Sequence, residues 1–203
     1  MRKGRLENTM ATTKRDASNP LQGLKEAQGS AKGLPPVHLW NPPFCGDIDM
    51  RIARDGIWYY MNSPIGRKPL MKLFASVLRH DEDGKYYLVT PVEKVGIAVE
   101  DAPFLAIRMA VTGSGRDQVI QFETNTDDEV TVDGDHRLRF ETENVTDGLK
   151  PYVRVRARLE ALVSRALFYD LVAKGQVEDG WFGVWSSGLF FPMQRAAEIG
   201  AGA

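Results

Sequence analysis

The chain has 203 residues, 26 Lys+Arg against 27 Asp+Glu, three His and one Cys, for a formal charge of −1. A 43% hydrophobic share with 26% charged residues excludes wholesale disorder. The balanced charge speaks against a nucleic-acid polymer as partner, whose ordinary footprint is a basic excess. Cys45 stands alone and cannot close an internal disulfide. No run of about 18 apolar residues offers a membrane span, and the charged start Met1-Arg2-Lys3-Gly4-Arg5 leads into no apolar stretch of a secretory signal. The expectation is a reducing cytoplasm without a membrane partner.

Residues 1–33 carry seven basic and three acidic side chains among Thr, Ser, Asn and Gly, with only scattered leucines. Such a segment buries too little apolar area to offset its ordering entropy, and it reads as a disordered basic tail, with a phosphate-touching arm as the sharper alternative. From Leu34, Pro35-Pro36 and Asn41-Pro42-Pro43 frame His38-Leu39-Trp40 in stiff extended chain. Ile48, Met50 and Ile52 alternate with Asp49, Arg51 and Ala53, which predicts a strand. Asp55-Gly56 signals a hairpin into Ile57-Trp58-Tyr59-Tyr60-Met61. Leu70, Leu73, Phe74, Val77 and Leu78 form one apolar helical stripe, with Asn62 or Ser63 as candidate cap. Asp83-Gly84 then turns the chain into strands at 86–89 and 95–99. The result is a ββαββ unit, an N-terminal α+β domain over 34–102.

Residues 103–150 hold five basic and ten acidic side chains and no helical period. Leu105-Ile107-Met109-Val111, Val119 with Gln121-Phe122-Glu123-Thr124, Val130-Thr131-Val132, Leu138-Arg139-Phe140 and, after Asp147-Gly148, Tyr152-Val153-Val155 read as short antiparallel strands. Arg67-x-x-Leu70-x-x-Leu73-Phe74 and Arg165-x-x-Phe168-x-x-Leu171-Val172 share one spacing. That match suggests a duplicated core, each copy packing one helix on an antiparallel sheet. The second domain then covers 103–203, strand-rich, with one helix near 164–174. A competing reading runs one long helix from Leu159 to Lys174. The alternation of Arg154, Arg156 and Arg158 with Val153, Val155 and Ala157 favours strand at least to Ala157.

Several catalytic motifs fail. Gly183-Val184-Trp185-Ser186-Ser187-Gly188 lacks the glycine a nucleophile elbow needs two before the serine, and it reads as a hairpin. Gly113-Ser114-Gly115 leads into a strand, so it is a turn rather than a dinucleotide fingerprint. Cys45, Asp47, Asp49 and His38 mix soft and hard donors without ligand spacing. Asn125, Asp127, Asp128 and Glu129 approach a calcium loop, yet Val130 stands where glycine is required. His80 and His136 sit beside acidic turns as ordinary exposed histidines. No catalytic residue, metal site or cofactor is expected. What remains is a set of cations, aromatic faces and hydroxyls on loops expected to meet: Trp40, Arg51, Arg54, Arg67, Glu93, Lys94, Arg154, Arg156, Trp185 and Ser186. Guanidinium forks suit phosphate or carboxylate and aromatic faces stack on bases. The plainer reading makes these arginines solvated strand faces or ion pairs with Glu93, Asp101 and Glu160.

The stretch Cys45-Gly46-Asp47-Ile48-Asp49-Met50-Arg51-Ile52-Ala53-Arg54-Asp55-Gly56-Ile57-Trp58-Tyr59 is followed by Pro64-Ile65-Gly66-Arg67 and Leu88-Val89-Thr90-Pro91-Val92-Glu93-Lys94-Val95-Gly96-Ile97. Glu100-Asp101-Ala102-Pro103-Phe104, Phe122-Glu123-Thr124-Asn125, Pro151-Tyr152-Val153 and Gly188-Leu189-Phe190-Phe191-Pro192 complete the pattern. Over roughly residues 34–193 the chain resembles the bacterial domain-of-unknown-function family 1285. The resemblance implies two α+β domains with a duplicated core, the second superficially like pleckstrin-homology folds. It also implies a nucleotide-type ligand between the domains and a signalling role, and it brings no established activity. Three functional expectations follow in order of weight. The first is a non-enzymatic protein binding a nucleotide-like anion at the domain interface. The second is an interaction or structural module without a small ligand, and the third an enzyme.

Overall fold

The computed structural model describes residues 33–143 and 148–199. The basic tail therefore lies outside the described residues except for Gly33, as does Asp147 of the turn placed at Asp147-Gly148. After a 3₁₀ turn at Val37–Leu39, the first half runs β1 (Phe44–Ile52), β2 (Trp58–Tyr60), β3 (Ser63–Pro64), α1 (Lys68–Ser76), β4 (Leu78–His80), β5 (Tyr86–Val89) and β6 (Lys94–Val99). These six strands form one sheet in the order β3-β2-β1-β6-β5-β4. The alternation that predicted β1 is visible in burial, with Met50 and Ile52 inside and Arg51 half-buried between them. The Asp55-Gly56 turn is present, and Gly56 takes φ +79, which only glycine adopts without strain.

Helix α1 is shorter than its apolar stripe. Pro69 fits the first turn, where a missing N–H costs nothing. Neither Asn62 nor Ser63 caps the helix, and Arg67 holds the N-cap position without a side-chain bond. At the other end the sheet wins over the helix. Val89 N donates to Val77 O at 2.9 Å, and Leu78 pairs with Leu88. Val77 and Leu78 are buried all the same, so the stripe marked burial correctly while misassigning the backbone.

The second half runs β7 (Phe104–Thr112), β8 (Val119–Thr124), β9 (Glu129–Thr131), β10 (Leu138–Thr142), β11 (Leu149–Arg156), β12 (Leu159–Val163), α2 (Arg165–Val172), β13 (Gln176–Glu178), β14 (Trp181–Ser186) and β15 (Leu189–Arg195). One six-stranded sheet has the order β10-β11-β12-β7-β8-β9, and a three-stranded sheet holds β13-β14-β15. Leu159, Ala161 and Val163 are buried while Glu160 and Leu162 are half-buried. That period of two settles 159–163 as strand, against the single long helix.

The two six-stranded sheets share a topology. Each is a pair of three-strand antiparallel meanders joined through a parallel contact between the first strand and the last, β1 with β6 and β7 with β12. Neither sheet is therefore wholly antiparallel, as the sequence had suggested. The helices do not share in the repeat. α1 lies between the two meanders of its half, whereas α2 follows the second meander of its own. Arg67 and Arg165 consequently do not occupy equivalent positions. Their common spacing reflects only that both helices bury one face.

A continuous core crosses both halves, from Met50, Ile52, Trp58 and Phe74 through Phe104, Phe122 and Val153 to Leu171, Val184 and Phe191. Trp58 stacks on Phe74 with ring centroids 6.3 Å apart. The architecture is α+β, mostly strand, with two α-helices among the described residues. No helix among them is long and apolar enough to cross a membrane.

Candidate ligand-binding site

The residues singled out by sequence do not come together in one place. Trp40 and Lys94 meet around Arg79, a residue the sequence did not flag. Arg79 Nη1 donates to the carbonyl oxygens of Val37 (3.0 Å) and Trp40 (2.7 Å), while its Nε and Nη2 grip Asp81 at 2.5 and 3.1 Å. Lys94 Nζ lies 3.2 Å from the same carboxylate and 4.4 Å from the Tyr87 ring centroid. Burial pushes the Asp81 carboxyl up, but the hydrogen bonds from Arg79 and Lys94 outweigh it and hold it below the usual carboxylate range. Tyr87, donating to Asp83 at 2.6 Å, is pushed up to about 12 by that bond. This cluster pins the segment 37–40 onto the first sheet. Glu93 takes part through its backbone, which closes a turn with Thr90.

Toward the other end of β1, Arg51 pairs with Glu100 at 2.8 Å and covers the Tyr59 ring, and the Arg54 amide donates to the other Glu100 oxygen. Arg67 is exposed at the N-cap of α1. In the three-stranded sheet, Trp185 lies under the Arg116 guanidinium. Ser186 is fully buried, donating to Val132 O at 2.7 Å and accepting from Ile120 N at 3.0 Å. Its hydroxyl staples two sheets together. The turn Ser187-Gly188 has φ of 51° and 74° and joins β14 to β15, the hairpin that the sequence favoured over an elbow.

Arg156 alone of the set bridges the seam between the halves, and it does so structurally. It pairs with Asp128 at 2.9 Å, donates to Ala75 O at 2.8 Å and covers the Phe104 ring. The stretch that failed as a calcium loop supplies most of the remaining stitches. Asn125 accepts from Leu105 N and donates to Gly56 O, and Asp127 pairs with Lys68 and Lys72, which hold its carboxyl below the usual range. Asp101 receives bonds from Tyr152 and Lys150, both at 2.7 Å. The bond to Asp101 raises Lys150, while Tyr152 is raised first by burial and then by the same carboxylate. Of the acids named as arginine partners, Asp101 thus serves Tyr152 and Lys150, and Glu160 serves Arg139. The seam is closed by its own contacts.

A cavity of about 410 Å³ opens beside this seam. Its lining includes the Glu143 carboxylate beside Leu149, Lys150, Pro151, Leu162, Arg165, Phe168 and Tyr169. The volume falls within the roughly 300–1,000 Å³ of small-molecule sites. Its composition follows from the fold: β11 and β12 contribute apolar side chains, while α2 brings Arg165, Phe168 and Tyr169 over them from successive turns. Lys150 is spent on Asp101. Arg165 is different. Its Nε donates to the Tyr169 hydroxyl at 3.3 Å, which raises the guanidinium, and it makes no ion pair with a described carboxylate. It stands at the first position of α2, where the macrodipole disfavours a cation, and Ser164 provides no side-chain cap. A cation, a helix start and an aromatic wall therefore face one apolar-floored space. Among the described residues no group of three or more His, Cys, Asp or Glu is arranged to hold a metal.

The model of the N-terminal domain of DUF1285, a domain of unknown function, matches residues 35–102, and that of the C-terminal domain of DUF1285, a protein of unknown function, matches residues 103–193. Among curated proteins nothing matches. The chain is similar to the crystal structure of a DUF1285 family protein from Silicibacter pomeroyi DSS-3, with 51% identity and a TM-score of 0.81, over 87% of this chain and 97% of that one. A DUF1285 family protein from Shewanella baltica OS155 matches at 25% identity and a TM-score of 0.49, over 63% of this chain and 92% of that one. With both domain models in order along one chain and a half-identical relative of the same fold, the protein belongs to the DUF1285 family.

Proposed function

We propose that the protein is a non-enzymatic binder of a small anionic, nucleotide-like ligand, and that the ligand sits in the cavity under Arg165 rather than between the halves. The observation that carries this reading is the Arg165 guanidinium, which faces the cavity with the Tyr169 hydroxyl as hydrogen-bond partner and without an ion pair to the Glu143 carboxylate of the same lining. A phosphate or carboxylate there would pair directly with the planar guanidinium fork. Phe168 and Tyr169 offer the flat faces that a base or an aromatic acid would stack on. Binding without turnover fits the engagement of the groups that chemistry would need. Ser186 is a buried staple, and Asp81, Asp101 and Asp128 are each held by cations.

In this reading the protein reports the presence of its ligand, the signalling role the family resemblance implies. The likeness of the second half to pleckstrin-homology folds is part of the same proposal and carries no claim on lipids. A thermal-shift panel of mono-, di- and cyclic nucleotides tests it: at least one should raise the melting temperature of the wild type and not that of Arg165→Ala.

A further inference from the structure

The strands β10 and β11 carry a charge imbalance that folding does not resolve. The Arg154 amide donates to the Arg137 carbonyl at 3.1 Å, one step beyond the Leu138–Val153 pair, so the two arginines stand opposite each other on one sheet face. Like charges directly opposite destabilise a sheet. Arg158, in the turn after Ala157 (φ 46°), adds a third exposed cation, and its carbonyl oxygen lies 3.2 Å from His80 Nδ1. Two of the nearby carboxylates are already occupied. Glu160, the register partner of Arg154, is held by Arg139 through Nε and Nη2, and Asp128 is held by Arg156. No ion pair joins Arg137, Arg154 or Arg158 to a described carboxylate.

We propose that Arg137, Arg154 and Arg158 form a docking surface for a short acidic segment of a partner protein, whose carboxylates supply the counter-charges that the chain withholds. Guanidinium forks match carboxylates in geometry as well as sign. The flanks of the cluster select for a short segment. Arg158 shares an open cleft with His80 and three carboxylates, Asp81, Glu82 and Asp83, and exposed Asp135 lies two residues before Arg137. An extended polyanion such as a nucleic acid would run into both. A segment of a few carboxylates is short enough to stay between those flanks. The surface is separate from the cavity under Arg165, with which it shares no residue.

The test is fluorescence anisotropy with labelled hexaglutamate at low ionic strength, on the full chain. Wild type should bind, and Arg137→Gln/Arg154→Gln/Arg158→Gln should lose affinity by about tenfold or more. Arg165→Ala should bind the peptide as wild type does, which separates this surface from the ligand cavity. The triple variant should melt at or above the wild-type temperature, because repulsion has been removed. Absence of wild-type binding, unchanged affinity in the triple variant or a clear fall in its melting temperature would each overturn the proposal. So would tighter binding of a six-nucleotide DNA strand than of the peptide.

Discussion

Arg156 reaches across the seam to Ala75, donating from Nη2 to its carbonyl oxygen at 2.8 Å. Ala75 is buried in the last turn of α1, where helix carbonyls lack intrahelical partners. A side chain from the second half thus finishes a helix of the first, and its other nitrogen ties down Asp128. Arg156→Ala should lower stability by about 2 kcal/mol, since it removes the charged donor from a helix-end carbonyl and leaves the half-buried Asp128 carboxylate with threonine hydroxyls and no cation. Chemical denaturation measures it, and one cooperative transition should persist because the core runs through both halves.

Gly56 and Asn125 form a second tie. Asn125 Nδ2 donates to Gly56 O at 3.1 Å, and an added Cβ at Gly56 would come within 2.7 Å of that nitrogen. Gly56→Ala meets a positive φ and a collision together, and should cost about 1–3 kcal/mol. Asn125→Ala should cost less, because Gly56 keeps its backbone geometry. Melting curves of the two single variants test the order.

The clamp on residues 37–40 is pH-dependent. Asp81 is held below the usual carboxylate value, so its contribution is present above about pH 3.9 and is lost as pH falls through its lowered folded value. Arg79 then loses its anchor on the strand, and the carbonyls of Val37 and Trp40 lose theirs. Asp81→Asn should destabilise at pH 7 and flatten the acid limb of a melting-temperature profile. Amide exchange near 37–40 should rise in Arg79→Ala at neutral pH, while the exchange of β14 stays unchanged.

Much of the fold was legible because burial writes a period into sequence. The alternation around Met50 and Ile52, the Asp55-Gly56 turn and the strand series after residue 103 all survive in the structure. What the pattern could not settle was backbone competition. Val77 and Leu78 satisfy helix and strand burial alike, and only the pairing of Leu78 with Leu88 decides between them. The site was less legible. Arginines and aromatics announce a capacity to bind, but whether a guanidinium is free depends on carboxylates distant in sequence: Glu100 for Arg51, Asp128 for Arg156. The spacing that Arg165 shares with Arg67 is coincidental.

Ser186 separates the catalytic reading from the structural one. Its hydroxyl accepts from Ile120 N and donates to Val132 O in a dry environment. Ser186→Ala leaves the Ile120 amide without that acceptor and should cost about 1–3 kcal/mol. Ligand-induced stabilisation should survive in it, since the cavity lies elsewhere. A variant of full stability that has lost ligand response would argue for a role in binding instead.

Whether Arg165 holds an anion in the cavity beneath α2 is decided by nucleotide titration followed by thermal shift. The wild type should show a saturable rise in melting temperature with at least one nucleotide, and Arg165→Ala, equally folded, should show none. Arg67→Ala, at a position that lines no part of that cavity, should respond as the wild type does. A panel without response at millimolar concentration, or a response unchanged in Arg165→Ala, would contradict the account.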